Sequence, residues 1–349
     1  MDNYSHNNLP LVSIIIPSHN EEKFISRCLD SVIAQDYPKD KLEVLVVDGM
    51  SKDGTHGIVE DYIRKYSYIR LLDNPKTVTP CGLNLGIRNA TGELILWMSA
   101  HNEYEKEYVQ KCIKYMKRYD ADAVGGIIKP IPRNNSFIGK SICIAISHPF
   151  GVGNSAFKVG SKQPKWVDTA FGVCYKKEIF GKIGFFNEEL VRGQDMEFSM
   201  RLKKAGLRTL LVPEIISYYY ARSDLKSFVE RNFVNGLWAI LPFRYTNIIP
   251  ISLRHLVPLL FVLSLTTFGL LTFVSSLSSS ILLLMVGSYF LLNIYFSVKI
   301  AIKEKDLGLL FVMPIIFVTL HFSYGLGSLY GVIKLLLPKQ RETNAKSFV

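Results

Sequence analysis

Residues 12–17 read VSIIIP and residues 43–48 read EVLVVD, two short apolar runs that are rich in β-branched residues. Each run ends at a turn signal, as buried parallel strands commonly do. Between them, apolar residues recur at helical spacing over residues 22–35, and Tyr37-Pro38 closes that segment. A strand, a helix and a second strand in this order predict a βαβ unit.

The same alternation continues along the chain. It predicts helices at 55–65 and 82–88, and strands at 69–72 and 94–98. After residues 124–128 the sequence is more irregular, with a strand expected at 169–175 and a helix at 195–205. The predicted fold class is therefore α/β, with a doubly wound, Rossmann-like sheet. Ligands bind outside the carboxyl ends of the strands in such sheets, so residues 18–22, 48–53 and 99–102 are expected to line one crevice.

The last third of the chain carries most of the long uncharged runs, although hydrophobic residues make up only 48% of the whole. Two runs, 256–274 and 281–300, have the length of transmembrane helices and are joined by a short serine-rich turn. A third run, 307–337, is longer than one span needs and contains His321. One tilted helix and a broken helix are both open for this third run.

Charge asymmetry predicts how these runs are oriented. The turn at 275–280 carries no charge, whereas residues 299–305 include three lysines, so the positive-inside rule places the turn outside and the lysines inside. We expect a full third crossing, because 307–337 is long and apolar, and it would place residues 338–349 outside. The basic residues of that tail favour the opposite side and a re-entrant third run.

Composition excludes several classes of protein. The net charge of +11 comes from scattered Lys and Arg, so no nucleic-acid partner is expected, and anionic lipid or a diphosphate ligand explains the charge more simply. Five cysteines without a C-x-x-C pair favour reduced thiols over disulfides or a zinc site. Residues 1–10 are polar and do not resemble a secretory signal, so the front of the chain is expected in the cytosol.

Two crevice segments carry polar side chains at strand ends. Residues 17–22 read PSHNEE, and such carboxylate and amide groups accept hydrogen bonds from a base or ribose. Ser18-x-x-Glu21 is also a capping box, which needs no ligand, so both interpretations stay open. In the second segment Asp48 lies at the tip of a buried strand, where an acidic residue can bind a nucleoside, whereas Asp53 is expected to begin the next helix.

Four stretches of sequence carry a resemblance to a known family: IIIPSHNEE, VLVVDGMSKDGT, NLGIRNATGELILWMSAHN and GQDMEFSMRLKKAG. In their order and spacing they resemble family 2 glycosyltransferases of the GT-A fold. The stretches AHNEYEKEYV and HPFGVGNSAF are similar to the membrane-attached, succinoglycan-type exopolysaccharide glycosyltransferases. The resemblance implies a GT-A catalytic domain at 1–240, an interfacial linker at 241–255, a membrane region at 256–337 and a polar tail at 338–349.

The resemblance also implies which residues hold the donor. Glu21 and Asp48 would bind the uracil and ribose of a UDP-sugar. Lys76 and Asn84 match further positions on the donor side. The partners implied are therefore a UDP-sugar donor and, at the membrane, a lipid-linked glycan acceptor.

The metal motif of the family is altered in this chain. Family members carry an Asp-x-Asp triplet that binds Mg²⁺ or Mn²⁺ against the diphosphate, and here the triplet is Ser99-Ala100-His101. His101 still offers a nitrogen ligand that suits Mn²⁺, while Ser99 supplies only a neutral hydroxyl near the donor. Mn²⁺ or Mg²⁺ is therefore expected as cofactor, with His101 as the metal ligand.

Gln194-Asp195 corresponds to the family's Glu-Asp pair, in which the aspartate is the catalytic base. An acceptor hydroxyl must lose its proton as it attacks the anomeric carbon opposite the departing UDP, so the expected outcome is inversion. An aspartate at the start of a helix is also typical of a cap, which would need no chemistry. Together with the other motifs, Asp195 is the predicted base.

The implied function is transfer of a sugar from a nucleotide-sugar to a lipid-linked or membrane-associated glycan acceptor. The protein is expected in the cell membrane, with several crossings and the catalytic domain facing the cytoplasm. A processive polysaccharide synthase is an alternative, but Arg231 and Trp238 do not reproduce its Gln-x-x-Arg-Trp element. A catalytically impaired nucleotide-binding relative is another, suggested by Ser99. Gly151-x-Gly153 is interpreted as a glycine-rich loop near the acceptor.

Overall fold

The computed structural model describes residues 9–249 and 251–337. The strands are β1 Val12–Ser18, β2 Leu42–Asp48, β3 Ile69–Asp73, β4 Leu94–Trp97, β5 Asn102–Tyr104, β6 Ala123–Pro132, β7 Lys165–Val167, β8 Phe171–Lys176 and β9 Thr209–Ala221. The helices are α1 Ile25–Ile33, α2 Thr55–Lys65, α3 Thr79–Asn89, α4 Tyr108–Tyr119, α5 Phe137–Ile146, α6 Pro149–Val152, α7 Ala156–Val159, α8 Ile179–Ile183, α9 Gln194–Lys204, α10 Leu225–Ile240, α11 Val257–Leu271, α12 Ser276–Glu304 and α13 Gly308–Leu336.

The described chain divides into two compact units. The first unit comprises the described residues up to Lys129 together with Ala156–Tyr220. The second comprises Pro130–Ser155 and the described residues from Ala221 onward. The polar tail expected at 338–349 lies outside the described residues, and the domain boundary expected at residue 240 stays a prediction.

Within the described residues, nine strands form one sheet in the order β3-β2-β1-β4-β8-β6-β9-β5, with β7 also paired to β9. The neighbours from β3 to β4 are parallel, whereas β8 runs antiparallel to β4 and to β6, and β5 and β7 antiparallel to β9. The α/β class is confirmed, but the parallel, doubly wound part is limited to four strands. Beyond β4 the chain no longer alternates one strand with one helix, so the crossover that parallel pairing requires is missing.

The parallel strands are buried on both faces, as their continuous apolar sequences predict. Every residue of β2 is buried, and alternate residues of β1 belong to two separate hydrophobic clusters. Ile14 and Ile16 lie in one cluster and Ile15 in the other. The cysteines are all free and buried, in line with the expected reduced thiols. Helices therefore cover both faces of these strands, and only the strand ends remain for polar chemistry.

Helix starts differ from expectation at one of two places. The first helix begins at Ile25 rather than at residue 22, because the Glu21 carbonyl accepts from the N–H groups of Phe24 and Ile25 in a preceding turn. Its N-cap, Phe24, makes no side-chain cap bond, so of the two interpretations left open for Ser18 and Glu21 the capping box is wrong. Helix α2 does begin at Thr55 as predicted, but its N-cap is Gly54 rather than Asp53. The Asp53 carboxylate, one residue earlier, accepts from the Thr55 N–H at 3.0 Å.

The second unit contains, among the described residues, three helical segments long and apolar enough to cross a membrane: Leu253–Leu271, Ser276–Glu304 and Gly308–Leu336. They match the three runs expected from the sequence. The last segment is one continuous helix with Pro314 inside it, so the broken-helix alternative is wrong. Asn293 of α12 donates to the Pro314 carbonyl at 3.1 Å, which supplies a polar partner beside the proline.

Helix α10, whose residues the sequence analysis assigned to the catalytic domain at 1–240, packs along α13 in the second unit. Gly236 brings the two backbones close together, and Ser328 donates to its carbonyl at 3.1 Å. Just after α10, the Arg244 guanidinium donates to the Lys334 and Leu335 carbonyls at 2.6 and 2.9 Å. These carbonyls at the end of α13 have no partner within the helix, so Arg244 acts as a cap.

The HPFGVGNSAF stretch begins against the long apolar helices of the same unit. The Phe150 ring stacks on Phe296 with centroids 4.8 Å apart. His321 of α13 donates from Nε2 to the Phe150 carbonyl at 2.8 Å, and its Nδ1 accepts from the Tyr289 hydroxyl at 2.9 Å. The aromatic part of this motif is therefore used to attach residues 130–155 to the apolar helices.

Candidate active site

Asp48 lies at the carboxyl end of β2, directly beside Ser18 at the end of β1. The Asp48 side chain is buried, with 1% of its surface exposed. One carboxylate oxygen accepts from the Ser51 hydroxyl at 2.5 Å and from the Ser18 hydroxyl at 3.4 Å, and the other accepts from the Ser51 N–H at 2.9 Å. This carboxylate is therefore held at the strand tip by hydroxyl and amide donors.

The loops after β1 and β2 are clamped to each other. The Asn20 N–H donates to the Ser51 hydroxyl at 2.9 Å, and the Asn20 side-chain oxygen accepts from the Lys52 N–H at 2.8 Å. Asn20 and Met50 both have left-handed backbone conformations, with φ of 55° and 59°. Such conformations are rare for residues other than glycine and persist only where surrounding contacts hold them. The crevice edge is therefore a rigid, locally strained structure.

The structure brings three predicted site residues together: Glu21, Ser99 and His101. Glu21 Oε1 lies 2.9 Å from His101 Nδ1, and Ser99 Oγ lies 3.2 Å from His101 Nε2. The His101 side chain is 35% exposed and that of Glu21 is 21% exposed, so a ligand can reach the row. The Tyr219 ring meets His101 edge-on with centroids 5.8 Å apart.

This row fits a divalent cation only in part through protein ligands. The described residues contain no group of three or more His, Cys, Asp or Glu side chains able to hold a metal. The two candidate metal ligands are His101 Nε2 and Ser99 Oγ, which face each other. The Glu21 carboxylate contacts the other ring nitrogen, and a carboxylate in that place is the usual support for a metal-binding histidine. The donor set fits a cation that takes its remaining ligands from a bound diphosphate.

Lys76 and Asn84 meet at Glu188, a residue that the sequence did not predict for the site. Lys76 Nζ and Asn84 Nδ2 donate to the Glu188 carboxylate at 2.7 and 3.0 Å. These bonds lower the pKa of Glu188 to about 2, and the bond from Lys76 has the largest effect. The buried Asn84 amide also exchanges two 2.9 Å bonds with the Phe186 backbone. No local pattern marks Glu188, because it is 104 residues from Asn84.

Asp195 is the second residue of α9, and Gly193 occupies the N-cap with a positive φ of 79°. Asp195 is therefore not the N-cap, although backbone N–H groups of the first turn lie close to its carboxylate. The residue is exposed to solvent. Desolvation by the surrounding protein raises the pKa of the Asp195 carboxyl, and the N–H bonds and the Lys158 charge oppose this effect. An accessible carboxylate with a raised pKa suits a general base.

Two buried amides lie beside the predicted residues, and the sequence analysis assigned neither of them a role. Asn102, next to His101, is 1% exposed, and neither its Nδ2 nor its Oδ1 has a hydrogen-bond partner within residues 9–249 and 251–337. Gln194, next to Asp195, is 8% exposed, and its Oε1 has no partner in the same part of the chain. Buried polar atoms are normally paired, so these atoms are available to water or ligand. In the sequence, Asn102 falls in the predicted crevice segment 99–102, and Gln194 in the pair that matches the family's Glu-Asp.

The mixed α/β sheet, the polar crevice edge and the accessible Asp195 carboxylate are the features that the resemblance to GT-A glycosyltransferases implied. Residues 13–184 match the sequence profile described as glycosyl transferase family 2. A Methanococcus voltae protein described as dolichyl N-acetyl-alpha-D-glucosaminyl phosphate 3-beta-D-2,3-diacetamido-2,3-dideoxy-beta-D-glucuronosyltransferase is 30% identical over 333 residues, which cover 93% of this chain and 97% of that protein. The chain therefore belongs to glycosyl transferase family 2.

Two further comparisons agree with this assignment. The succinoglycan biosynthesis protein ExoA of Rhizobium meliloti is 25% identical over 70% of this chain and 74% of its own length. Mannosyltransferase PcManGT from Pyrobaculum calidifontis, solved in complex with GDP-Man and Mn²⁺, is 18% identical, with a TM-score of 0.58 over 93% of this chain and 89% of that one. The structural likeness shows the fold. The protein is a glycosyltransferase, as the sequence motifs predicted.

Proposed function

We propose that this glycosyltransferase transfers a sugar, with inversion, from a nucleotide-sugar to a lipid-linked glycan acceptor at a membrane. One observation carries the proposal. The Methanococcus voltae relative, whose name specifies a dolichyl N-acetylglucosaminyl phosphate substrate, is similar over 93% of this chain, so the similarity includes the apolar helices. Incubating the purified protein in detergent with UDP-sugars and native membrane lipids, and measuring released UDP and glycosylated lipid, tests it.

The donor would bind across the ends of β1 and β2. Asp48 accepts from hydroxyl and amide groups, which is the chemistry that a ribose or a uracil N–H offers. Glu21 Oε2 makes no hydrogen bond within the described residues and is free to accept a further donor-side N–H or O–H. Lys76 is 68% exposed and pairs with Glu188, so it can exchange that partner for a diphosphate oxygen. UDP is the nucleotide that the motif resemblance favours.

The reaction needs a base on the acceptor side. The Asp195 carboxylate would take the proton from the acceptor hydroxyl as that oxygen attacks the anomeric carbon, while the nucleoside diphosphate leaves from the opposite face. Attack from the face opposite the leaving group inverts the anomeric configuration. The raised pKa of Asp195 makes it a stronger base than an ordinary aspartate.

A divalent cation, Mn²⁺ or Mg²⁺, would be held by His101 and Ser99 and would neutralise negative charge on the diphosphate. EDTA is therefore expected to suppress turnover, and Mn²⁺ to restore it at least as well as Mg²⁺, because a nitrogen ligand suits Mn²⁺ better. His101→Ala should weaken metal activation more than Ser99→Ala. Turnover measured against metal concentration after chelation checks this, and full activity in exhaustively chelated protein would contradict it.

We propose that the first unit faces the cytoplasm. Residues 130–155 join the first unit at both ends, and α5 packs in one cluster with Ile300 near the end of α12 and Leu309 near the start of α13. The α5 helix has ten residues, too few to cross a bilayer. The loop between α12 and α13 should therefore lie on the same side as the first unit, and the lysines before it favour the cytoplasmic side.

Cysteine labelling tests this orientation. A cysteine at Ser279, which is exposed next to the buried Ser278, should react with an impermeant thiol reagent in intact cells. A cysteine at Leu307, 77% exposed between α12 and α13, should react only after permeabilisation. The native cysteines give little background, because all are buried. The reverse pattern would place the first unit outside. Ser347, where a cysteine would report the side of the polar tail, lies outside the described residues.

The two alternatives predict different products. A processive synthase would release long polymers from a single acceptor, whereas the proposed enzyme adds one sugar. A catalytically impaired relative would bind nucleotide without releasing UDP from a UDP-sugar. Chain-length analysis of the labelled lipid product, together with UDP release, separates the three outcomes.

A further inference from the structure

Glu21, His101 and Ser99 form a hydrogen-bonded row whose direction is set by one proton. Glu21 Oε1 and His101 Nδ1 are 2.9 Å apart although the two residues are separated by 80 positions. An ionised carboxylate only accepts hydrogen bonds, so Nδ1 must carry the proton. In the neutral ring, Nε2 then has a lone pair, which accepts from the Ser99 hydroxyl 3.2 Å away.

We infer that Glu21 is a positioning residue that holds His101 in the tautomer whose Nε2 lone pair faces Ser99, ready to bind a divalent cation. This inference rests on the proposed function, since the cation belongs to the proposed donor site. It gives Glu21 a different role from the nucleoside contact that the motif resemblance implies. Both roles can coexist, because they use different carboxylate oxygens.

The backbone of Glu21 is fixed on both sides. Its N–H donates to the Thr55 hydroxyl at 2.7 Å, and Thr55 is fully buried. Its carbonyl accepts from the N–H groups of Phe24 and Ile25 at 2.9 and 2.8 Å. The backbone of Glu21 is therefore held in place, and its side chain extends toward His101 from a fixed Cα position.

The ring of His101 is also restricted. Tyr219 meets it edge-on at 5.8 Å and 64°. Tyr219 lies on β9 in register with Asn102, the residue after His101, so the sheet fixes the spacing of the two aromatic side chains. With the ring held in this orientation, either nitrogen could still carry the proton. The contact with Glu21 places that proton on Nδ1.

The opposite tautomer would not serve the proposed site. A ring protonated at Nε2 donates to Ser99 and has no lone pair left on that side for a metal. Removal of the carboxylate that supports a metal-binding histidine typically weakens metal affinity about 10- to 100-fold. The loss of Glu21 should therefore be visible in metal binding itself, without any measurement of sugar transfer.

The first test is the tautomer in the wild-type protein without metal or nucleotide. Nitrogen NMR of ¹⁵N-histidine-labelled protein, with His101→Ala used for assignment, should show a protonated Nδ1 and an unprotonated Nε2. A protonated Nε2 with an unprotonated Nδ1 overturns the inference. This measurement needs no variant of Glu21 to fold.

The second test compares two neighbouring carboxylates. Mn²⁺ affinity is measured by electron paramagnetic resonance of free Mn²⁺, with and without UDP, in Glu21→Met and Glu22→Met. Met is used because Gln at position 21 would keep an amide oxygen that can accept from Nδ1–H. Both variants remove one carboxylate, but Glu22 lies outside the row and accepts from the Gly54 N–H at 3.0 Å. Glu21→Met should bind Mn²⁺ about 10- to 100-fold more weakly, and Glu22→Met within about threefold of the wild type.

The outcomes separate this inference from the proposed function. If Glu21→Met weakens UDP binding without Mn²⁺ but keeps the tautomer and the Mn²⁺ affinity, Glu21 contacts only the nucleoside and the inference is wrong. If the wild type binds no Mn²⁺ with or without UDP, the cation site and the inference fail together. A protein that binds Mn²⁺ in the predicted way but transfers no sugar supports the inference and refutes the proposed function.

Discussion

Replacing Asp195 with Asn is expected to lower kcat by about 100-fold or more, because general base catalysis typically contributes a factor of that size. Asn keeps the size of the side chain and most of its hydrogen bonding but cannot accept a proton. Nucleotide affinity should barely change, so the loss should fall on turnover rather than on binding. Steady-state kinetics with saturating donor and a calorimetric titration of UDP measure the two effects separately.

The pH dependence of kcat/KM is a second test of Asp195 as the base. The pKa of Asp195 is raised, so the carboxylate is active above this pKa and is lost as the pH falls through it. The acid limb of kcat/KM in the wild type should therefore lie above the ordinary aspartate pKa of about 3.9. In Asp195→Asn this limb should disappear from the residual rate.

Glu178 provides the matched control for Asp195. Glu178→Gln removes a carboxylate that is 62% exposed and paired with Lys182, and it should leave kcat unchanged. Near-normal turnover in Asp195→Asn would mean that another group takes the proton. Glu197 would be tested next, although it is buried and accepts two bonds from Arg201 at 2.7 and 2.9 Å.

Gly236→Ala is expected to destabilise the second unit, whereas Gly287→Ala is not. A Cβ on Gly236 would lie 2.0 Å from the Tyr324 carbonyl oxygen, so α10 and α13 would have to separate. Nothing lies within 4 Å of a Cβ on Gly287. Overpacking of this kind costs about 1–3 kcal/mol or more, against a gain of about 1 kcal/mol from replacing a helical glycine with alanine.

The two variants form a matched pair, since both place the same methyl group on a helix of the second unit. Thermal unfolding in detergent, followed by size-exclusion chromatography, should show a lower Tm or a loss of folded protein for Gly236→Ala only. Gly287→Ala should keep or raise the Tm. Equal Tm values for the two variants would show that α10 and α13 do not pack closely.

The predictions that succeeded rest on patterns that are local in the sequence. The apolar runs of β1 and β2 predicted buried parallel strands, because strands covered on both faces have no polar alternation. The start of α2 at Thr55 was predicted correctly, and the bond from the Thr55 N–H to Asp53 spans only two residues. Length and apolarity predicted the three candidate membrane helices.

The predictions that failed, or were incomplete, concern choices between local and distant partners. Ser18 and Glu21 match a capping box, but in the structure they bond to Asp48 and His101, which are 30 and 80 residues away. Asn84 was assigned to the donor alone, yet it contacts Glu188 across 104 residues. A polar side chain takes whichever partner the fold brings near, so its spacing in the sequence cannot decide between them.

The amino-acid sequence by itself determined the α/β class, the family, the apolar helices and the identity of the polar residues at the strand ends, because periodicity, length and motif spacing are properties of neighbouring positions. Only the tertiary structure decided that β8 returns antiparallel to β4, that Glu21 faces His101, and that Glu188 joins Lys76 to Asn84. These contacts depend on which strand ends and loops meet in space. Which distant residues come into contact depends on the packing of the whole sheet, and no local sequence pattern records that packing.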